Sequence, residues 1–281
     1  MRAVFTALAA ALLTIAAAPA ASAAPTSGFG DWSCRPSAAH PEPVVLLHGL
    51  GGNGPGNFAY LGPYLAQRGY CAFTLTYGQA VPEIPVGGTI AIEDSAREIE
   101  AFVDRVRETT GAERVDLVGH SEGGFHALYG PKVLGYAGEV LRVVALAPPT
   151  DGTTFGGLVT VADHLGLRPS LDPILATFGC PACAGLITGG EPVADLTDGP
   201  IAQDGVAYTI LATRFDALVT PHETSFVREP GVRNAFVQDT CPADPVGHVG
   251  MAFDTAVAGL VANALDPEHP APVLCTPGLP F

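Results

Sequence analysis

A glycine-rich turn at residues 119–124 is the sequence feature that most constrains the fold. The segment Val-Asp-Leu-Val at residues 115–118 before the turn is predicted to be a strand, and a helical pattern follows the turn to about Tyr129. The turn reads Gly-His-Ser-Glu-Gly-Gly, with Ser121 between two glycines. A strand, a tight turn and a helix in this order predict a strained serine whose hydroxyl is raised above a sheet, where it can act as a nucleophile.

Strands and helices alternate along the rest of the chain. The clearest helix is predicted for residues 92–109, because apolar residues recur there at spacings of three and four. Further helices are predicted at residues 57–68, after Ser121 and at 249–265, and strands at 44–47, 71–77, 115–118, 141–146, 206–213 and 234–237. This order predicts an α/β fold, with a mostly parallel central sheet and helices on both faces.

Three segments organise the chain of 281 residues. Residues 1–23 have a positive start, an apolar run and an Ala-Ser-Ala site, which predict a secretory signal peptide; a retained N-terminal anchor is the alternative. Residues 24–281 are predicted to form a single domain. Within it, residues 151–204 are rich in Gly, Pro, Asp and Thr and break the alternation, which is typical of a lid or substrate-binding excursion.

The charge of the chain limits its partners. The sequence has 28 acidic and 13 basic residues, for a formal net charge of −15. Such a surface repels phosphate backbones and anionic lipid headgroups, so we expect no nucleic-acid partner. No segment after residue 23 is long and apolar enough to span a bilayer, so no stable membrane insertion is expected. We expect a monomer that acts on a neutral substrate.

Six cysteines in an exported chain suggest three disulfides. Fifteen pairings are possible, and joining near neighbours along the chain favours Cys34–Cys71, Cys180–Cys183 and Cys241–Cys275. A redox or zinc motif is the alternative reading of Cys180-Pro-Ala-Cys183. Zinc would need a second pair of ligands with matching spacing, which the sequence lacks, so no metal is predicted.

A serine nucleophile needs a histidine base and an acid to orient it, in the chain order serine, acid, histidine. His248 follows the last predicted strand and precedes the last helix, which is the position expected for the base. Asp216 follows the strand at residues 206–213, and Asp239, after the next strand, is the rival acid. The other histidines after Ser121 are less well placed: His126, His164, His222 and His269.

Acyl transfer also requires two backbone N–H groups that face the developing oxyanion. The residue after the nucleophile, Glu122, supplies one, and Leu50 in the loop after the first strand is the candidate for the other. Apolar residues of the 151–204 excursion either shape an acyl pocket or pack the loop onto the sheet. The substrate-binding candidates are Phe155, Leu158, Ile174 and Phe178.

Four motifs in order resemble those of the secreted actinobacterial triacylglycerol lipases, which belong to the class 2 lipase group of α/β-hydrolases. They are His48-Gly-Leu-Gly-Gly52, the turn around Ser121, Thr213-Arg-Phe-Asp-Ala-Leu-Val-Thr-Pro221, and Gln238-Asp-Thr-Cys-Pro-Ala-Asp followed by His248. The resemblance runs from about Trp32 to Cys275.

This resemblance implies an α/β-hydrolase fold and a secreted ester hydrolase with a triad of Ser121, Asp216 and His248. It also implies an oxyanion hole from Leu50 and Glu122, disulfides like those above, and neither cofactor nor catalytic metal. The substrate would be a lipid or a small ester, including one at a lipid–water interface. Relatives often have Gln where this chain has Glu122, and a carboxylate there could slow the reaction or shift its pH range. An acyltransferase or polyester hydrolase with the same triad is one alternative, and an inactive binding protein on the same fold is another.

Overall fold

The computed structural model describes residues 28–166 and 180–281. The signal peptide predicted for residues 1–23 lies outside the described residues, and so do two of the pocket candidates, Ile174 and Phe178.

A six-stranded parallel sheet forms the centre of the described chain. Its strands are β1 (Val44–Leu47), β2 (Ala72–Thr74), β3 (Val115–His120), β4 (Val140–Leu146), β5 (Ala207–Ala212) and β6 (Arg233–Phe236). The spatial order is β2-β1-β3-β4-β5-β6, so the chain changes direction across the sheet between β1 and β3. In open parallel sheets, ligands bind beyond the carboxyl ends of the strands at such a switch point.

Helices connect the strands on both faces of the sheet, which confirms the predicted fold class. They are α1 (Gly54–Asn57), α2 (Leu61–Ala66), α3 (Ile92–Thr110), α4 (Glu122–Tyr129), α5 (Leu158–His164), α6 (Pro181–Gly185), α7 (Glu191–Thr197), α8 (Val237–Thr240) and α9 (Thr255–Leu265). Among the described residues of the 151–204 excursion, α5, α6 and α7 account for the short apolar pieces of its sequence.

Alternate residues of the buried strands divide the core into two layers. In β1, Val45 and Leu47 pack with residues of α3 and α4, whereas Val44 and Leu46 pack with residues of α2 and α9. All four side chains are fully buried. The continuous apolar run of β1 thus reflects a strand that is covered on both faces, as is typical of parallel sheets.

Two predicted helices differ in the structure. Of the helix expected at residues 57–68, only α2 (Leu61–Ala66) forms, and α1 ends where the prediction began, at Asn57. The helix expected at 249–265 is a 3₁₀ turn (Val249–Ala252) followed by α9, because the Asp254 carboxylate accepts a hydrogen bond from Val257 N at 2.9 Å and caps a new helix.

Three disulfides join Cys34 to Cys71, Cys180 to Cys183 and Cys241 to Cys275. These are the pairs that neighbouring positions along the chain suggested. Within residues 28–166 and 180–281, no helix is long and apolar enough to cross a membrane.

Candidate active site

Ser121 lies on the sharp turn between β3 and α4, with φ of 58° and ψ of −121°. A positive φ is uncommon for a residue other than glycine and marks the strain predicted for this turn. A Cβ atom at Gly119 would lie 2.0 Å from the carbonyl oxygen of Gly123, and a Cβ atom at Gly123 would lie 2.0 Å from that of Leu47. The motif therefore requires its two glycines, because no larger residue fits between β3, α4 and β1.

The structure brings Ser121, His248 and Asp216 into one hydrogen-bonded chain. His248 Nε2 lies 2.8 Å from Ser121 Oγ, and His248 Nδ1 lies 2.7 Å from Asp216 Oδ2. Because a carboxylate only accepts hydrogen bonds, Nδ1 carries the imidazole proton and Nε2 is free to accept the proton of the serine hydroxyl. The other Asp216 oxygen accepts the backbone N–H groups of Leu218 and Val219, both at 2.8 Å, which orient the carboxylate.

His248 belongs to the base loop, defined here as residues 244–250, and residues 278–281 hold this loop from outside. Gly247 N donates to Leu279 O at 2.8 Å, and Gly250 N donates to Phe281 O at 2.6 Å. Gly278 N donates to Asp244 Oδ1 at 2.9 Å. The disulfide between Cys241 and Cys275 joins the two segments nearby, so the main chain on both sides of His248 is fixed.

The alternative acid and bases lie elsewhere. Asp239 forms a surface ion pair with Arg214 at 2.7 Å. The pKa of Asp239 is lowered, mainly because its carboxylate accepts a hydrogen bond from Phe236 N. His222 contacts the backbone oxygen of Asp216, and His126 is buried on α4. Of the candidate acids and bases weighed from the sequence, Asp216 and His248 are the two that the structure joins to Ser121.

The oxyanion loop, defined here as residues 49–52, follows β1 and is held by backbone hydrogen bonds. Gly51 N donates to Gly87 O at 2.9 Å, and Gly87 N donates to Gly52 O at 2.7 Å. Leu50 in this loop lines the same cavity as Ser121, and Glu122 is the first residue of α4, where backbone N–H groups lack intrahelical acceptors. The two residues predicted to supply the N–H groups thus follow the neighbouring strands β1 and β3.

The side chain of Glu122 points into the core. It is fully buried, and its Oε1 lies 3.2 Å from Nε2 of His126, one helical turn later. Burial raises the pKa of Glu122 well above its usual range and lowers the pKa of His126 to about 3. Burial therefore favours the neutral form of both groups. It opposes the negative charge that the sequence suggested beside the oxyanion, and the effect of Glu122 on the reaction stays a prediction.

Two residues of the site were not singled out from the sequence. His120 Nε2 lies 2.9 Å from the backbone oxygen of His248, and His120 Nδ1 lies 3.2 Å from Oδ1 of Asn57. His120 occupies the variable position of the serine motif, so its place in the motif was a signal for it. Asn57 is 63 residues away, and only the packing of α1 against the turn reveals its contact.

A cavity of about 340 Å³ opens over Ser121 and His248. Phe155, a predicted pocket residue, lines it, whereas Leu158 is 73% exposed on α5 and is not among the lining residues. The oxyanion loop and Asn57 are part of the lining. The apolar residues of the lining are Leu50, Pro149, Phe155, Leu186, Leu218, Val219, Val249, Ala252 and Phe253. A largely apolar cavity beside the serine hydroxyl suits a substrate with an apolar chain and a polar reacting group.

Comparisons with known proteins identify the family and the fold. Residues 44–276 match the model of the alpha/beta hydrolase family. A triacylglycerol lipase of Burkholderia plantarii is 32% identical over 150 residues, which are 52% of this chain but only 37% of that relative.

Solved structures of low sequence identity share the fold. Lipase B of Aspergillus fumigatus superposes with a TM-score of 0.63 at 15% identity, over 85% of this chain and 56% of that one. The mature lipase BlEst2 of Bacillus licheniformis gives a TM-score of 0.58 at 21% identity, over 86% of this chain and 99% of that one. From the family match, the sheet order and the serine turn, the chain belongs to the alpha/beta hydrolase family.

Proposed function

We propose that this protein is an extracellular carboxylic-ester hydrolase, a triacylglycerol lipase or esterase that acts through Ser121, His248 and Asp216. The observation that carries the proposal is the hydrogen-bonded chain from Asp216 through His248 to Ser121, which ends in a largely apolar cavity. The partial match to a triacylglycerol lipase and the four motifs resembling secreted actinobacterial class 2 lipases support the choice of substrate.

In the first half of the reaction, His248 Nε2 accepts the Ser121 proton as Oγ attacks the ester carbonyl carbon. The N–H groups of Leu50 and Glu122 stabilise the oxyanion of the tetrahedral intermediate. His248 then gives its proton to the alcohol oxygen as the carbon–oxygen bond breaks, which leaves an acyl-enzyme.

In the second half, His248 accepts a proton from water as the water oxygen attacks the acyl carbon. Collapse of the second tetrahedral intermediate returns the proton to Ser121 Oγ and releases the carboxylic acid. Asp216 holds the Nδ1–H tautomer of His248 and stabilises the imidazolium formed in each half.

The three disulfides and the signal-peptide pattern of residues 1–23 support the extracellular assignment. In the same proposal, residues 24–281 act as one hydrolase domain, and the 151–204 excursion contributes Phe155 to the acyl side of the cavity.

Hydrolysis of p-nitrophenyl esters from acetate to palmitate by the wild type and by Ser121→Ala tests the proposal. We expect Ser121→Ala to lower kcat by at least about 10³-fold. Exposed Ser37→Ala provides the control, since it should keep wild-type rates and fluorophosphonate labelling. A preference for long chains would indicate a lipase, and a preference for short chains a carboxylesterase. Equal rates in Ser121→Ala and wild type, or a folded wild type that fluorophosphonate does not label, would refute the proposal.

A further inference from the structure

We infer that His120 is a positioning residue, which fixes the base loop and the oxyanion loop relative to Ser121. This inference rests on the proposed function, because it concerns the same site. His120 precedes Ser121 in the chain and is 4% exposed, so its ring is enclosed at the point where β3 ends.

On one side, the ring is bonded to the main chain of the base. His120 Nε2 lies 2.9 Å from the carbonyl oxygen of His248, and the centroids of the two imidazole rings are 5.2 Å apart. A shift of that carbonyl would carry the His248 side chain with it and alter its 2.8 Å contact with Ser121 Oγ. The hydrogen bond therefore fixes the base relative to the residue that adjoins the nucleophile.

The proton on the His120 ring has a defined place. Burial, and then the neighbouring His248, lower the pKa of His120 to about 3, so the ring is neutral near pH 7 with one N–H. A carbonyl oxygen only accepts hydrogen bonds, so Nε2 carries this proton and donates it to His248 O. Nδ1 is left as an acceptor that faces Asn57.

On the other side, Asn57 lies between the ring and the oxyanion loop. The same terminal atom of its side-chain amide lies 3.2 Å from His120 Nδ1 and 3.2 Å from Gly49 N. The two ends of an amide exchange by a half-turn, so this atom either donates to Nδ1 or accepts from Gly49 N. In the first orientation the hydrogen bond joins Asn57 to the ring, and in the second it joins Asn57 to the main chain one residue before Leu50. The other 3.2 Å contact is then packing, so Asn57 lies against both the ring and the oxyanion loop in either case.

Two substitutions of His120 that differ by one methylene group test whether its hydrogen bond to His248 O positions the base. The side-chain amide of His120→Gln reaches far enough to place an N–H near the position of imidazole Nε2–H, whereas that of His120→Asn is too short. A misplacement of catalytic groups by about 1 Å costs up to about 10²-fold. We therefore expect His120→Asn to lower kcat by about 10-fold to 10²-fold and His120→Gln to stay within about threefold of wild type, with KM nearly unchanged in both.

The pattern across substrates distinguishes positioning from wall packing, because His120 also lines the cavity. Lost positioning lowers kcat by the same factor for p-nitrophenyl acetate and for longer esters. An altered wall instead changes KM, and does so differently for each chain length. Equal losses in His120→Asn and His120→Gln, wild-type kcat in His120→Asn, or an effect confined to KM would overturn the inference.

Asn57→Ala tests the same inference without changing the serine motif. It provides the test if His120→Asn does not fold. We expect about a tenfold lower kcat with unchanged KM, and a double variant with His120→Asn that loses less than the product of the two single losses. Unchanged kcat in Asn57→Ala would contradict the link to the oxyanion loop. A wild type that hydrolyses no ester would instead refute the proposed function. An active wild type, with the same kcat in the His120 and Asn57 variants, would refute only the role of His120.

Discussion

Two buried carboxyl–imidazole pairs lie in the described part of the chain, and their surroundings differ. Asp216 and His248 come from two loops 32 residues apart and meet at 2.7 Å, whereas Glu122 and His126 lie one turn apart on α4 and meet at 3.2 Å. All four side chains are at most 5% exposed. Burial and contact alone therefore do not distinguish the pair that is bonded to Ser121 from the pair that is not.

The difference lies in what faces the second carboxyl oxygen. Asp216 Oδ1 accepts two backbone N–H groups, from Leu218 and Val219. In the described part of the chain, no group donates a hydrogen bond to Glu122 Oε2, and Nδ1 of His126 also has no hydrogen-bond partner. A buried charge persists only where donors or opposite charges compensate its lost hydration. The turn after β5 supplies such donors, whereas the interior around α4 favours the neutral form of Glu122 and of His126.

The same change, from acid to amide, should separate the pairs by the largest factor. Asp216→Asn presents an amide nitrogen to His248 Nδ1 and favours the wrong imidazole tautomer, so we expect kcat to fall by about 10⁴-fold. Burial favours the neutral acid at Glu122, and Gln is a neutral amide of similar size, so Glu122→Gln should change kcat at pH 7 by less than about threefold. Ester hydrolysis at pH 7 with matched circular dichroism spectra checks both. A large loss in Glu122→Gln would show that its carboxyl takes part in the reaction.

The sequence pointed to Asp216 and His248 as partners, but it did not indicate the charge state of Glu122 and His126. The order serine, acid, histidine and the positions after strands pointed to Asp216 and His248, because the carboxyl ends of parallel strands meet at one edge. The spacing of four between Glu122 and His126 also predicts contact on a helix. Their charge state depends on how the loop at Gly87 and Gly88 and the ring of Tyr77 enclose them, and these contacts are tertiary.

The details of the fold likewise divide into features with a local sequence pattern and features that depend on tertiary contacts. Alternating strands and helices predicted the sheet and its covering helices, since each element has a local periodicity. The break before α9 depends on Asp254, a capping residue inside a long apolar pattern. The contacts of His120 with Asn57 and His248 join segments 63 and 128 residues away, so no local pattern predicts them.

Gly88 provides a steric test of how tightly the second pair is enclosed. A Cβ atom there would lie 2.4 Å from Glu122 Oε2, and the fully buried side chain has no route to solvent. Gly111 has a similar positive φ, 75° against 66°, but no atom lies within 4 Å of its Cβ position. Gly111→Ala should cost about 1 kcal/mol of unfolding free energy from backbone strain alone.

Gly88→Ala should add about 2 kcal/mol to that cost through overpacking. Urea unfolding of both variants at pH 6 measures the difference. Equal losses would mean that the Glu122 carboxyl moves aside freely, and the contrast between the two pairs would then reflect a mobile side chain rather than an enclosed one.

The smallest expected effect is a pH dependence of stability that Glu122 introduces. Its pKa is raised in the folded state, so its contribution is fully present below its ordinary pKa of 4.5 and is lost as pH rises toward the folded value. Over that window the wild type should lose up to about 1.4 kcal/mol of unfolding free energy per pH unit relative to Glu122→Gln. The stability of the variant minus that of wild type should therefore increase as pH rises from 4.5 toward the raised pKa of Glu122.

Comparing the two proteins at each pH removes the contribution of every group that titrates alike in both. His126 has the opposite sign, because its pKa is lowered from 6.5 to about 3 and its contribution is lost as pH falls through that range. Measurements above pH 6.5 therefore isolate Glu122. A difference that stays constant from pH 6.5 to pH 8 would mean that Glu122 is already ionised in the folded protein. The first turn of α4 would then carry a charged carboxylate next to the proposed oxyanion hole. Glu122 would in that case no longer differ from Asp216 in what its surroundings stabilise.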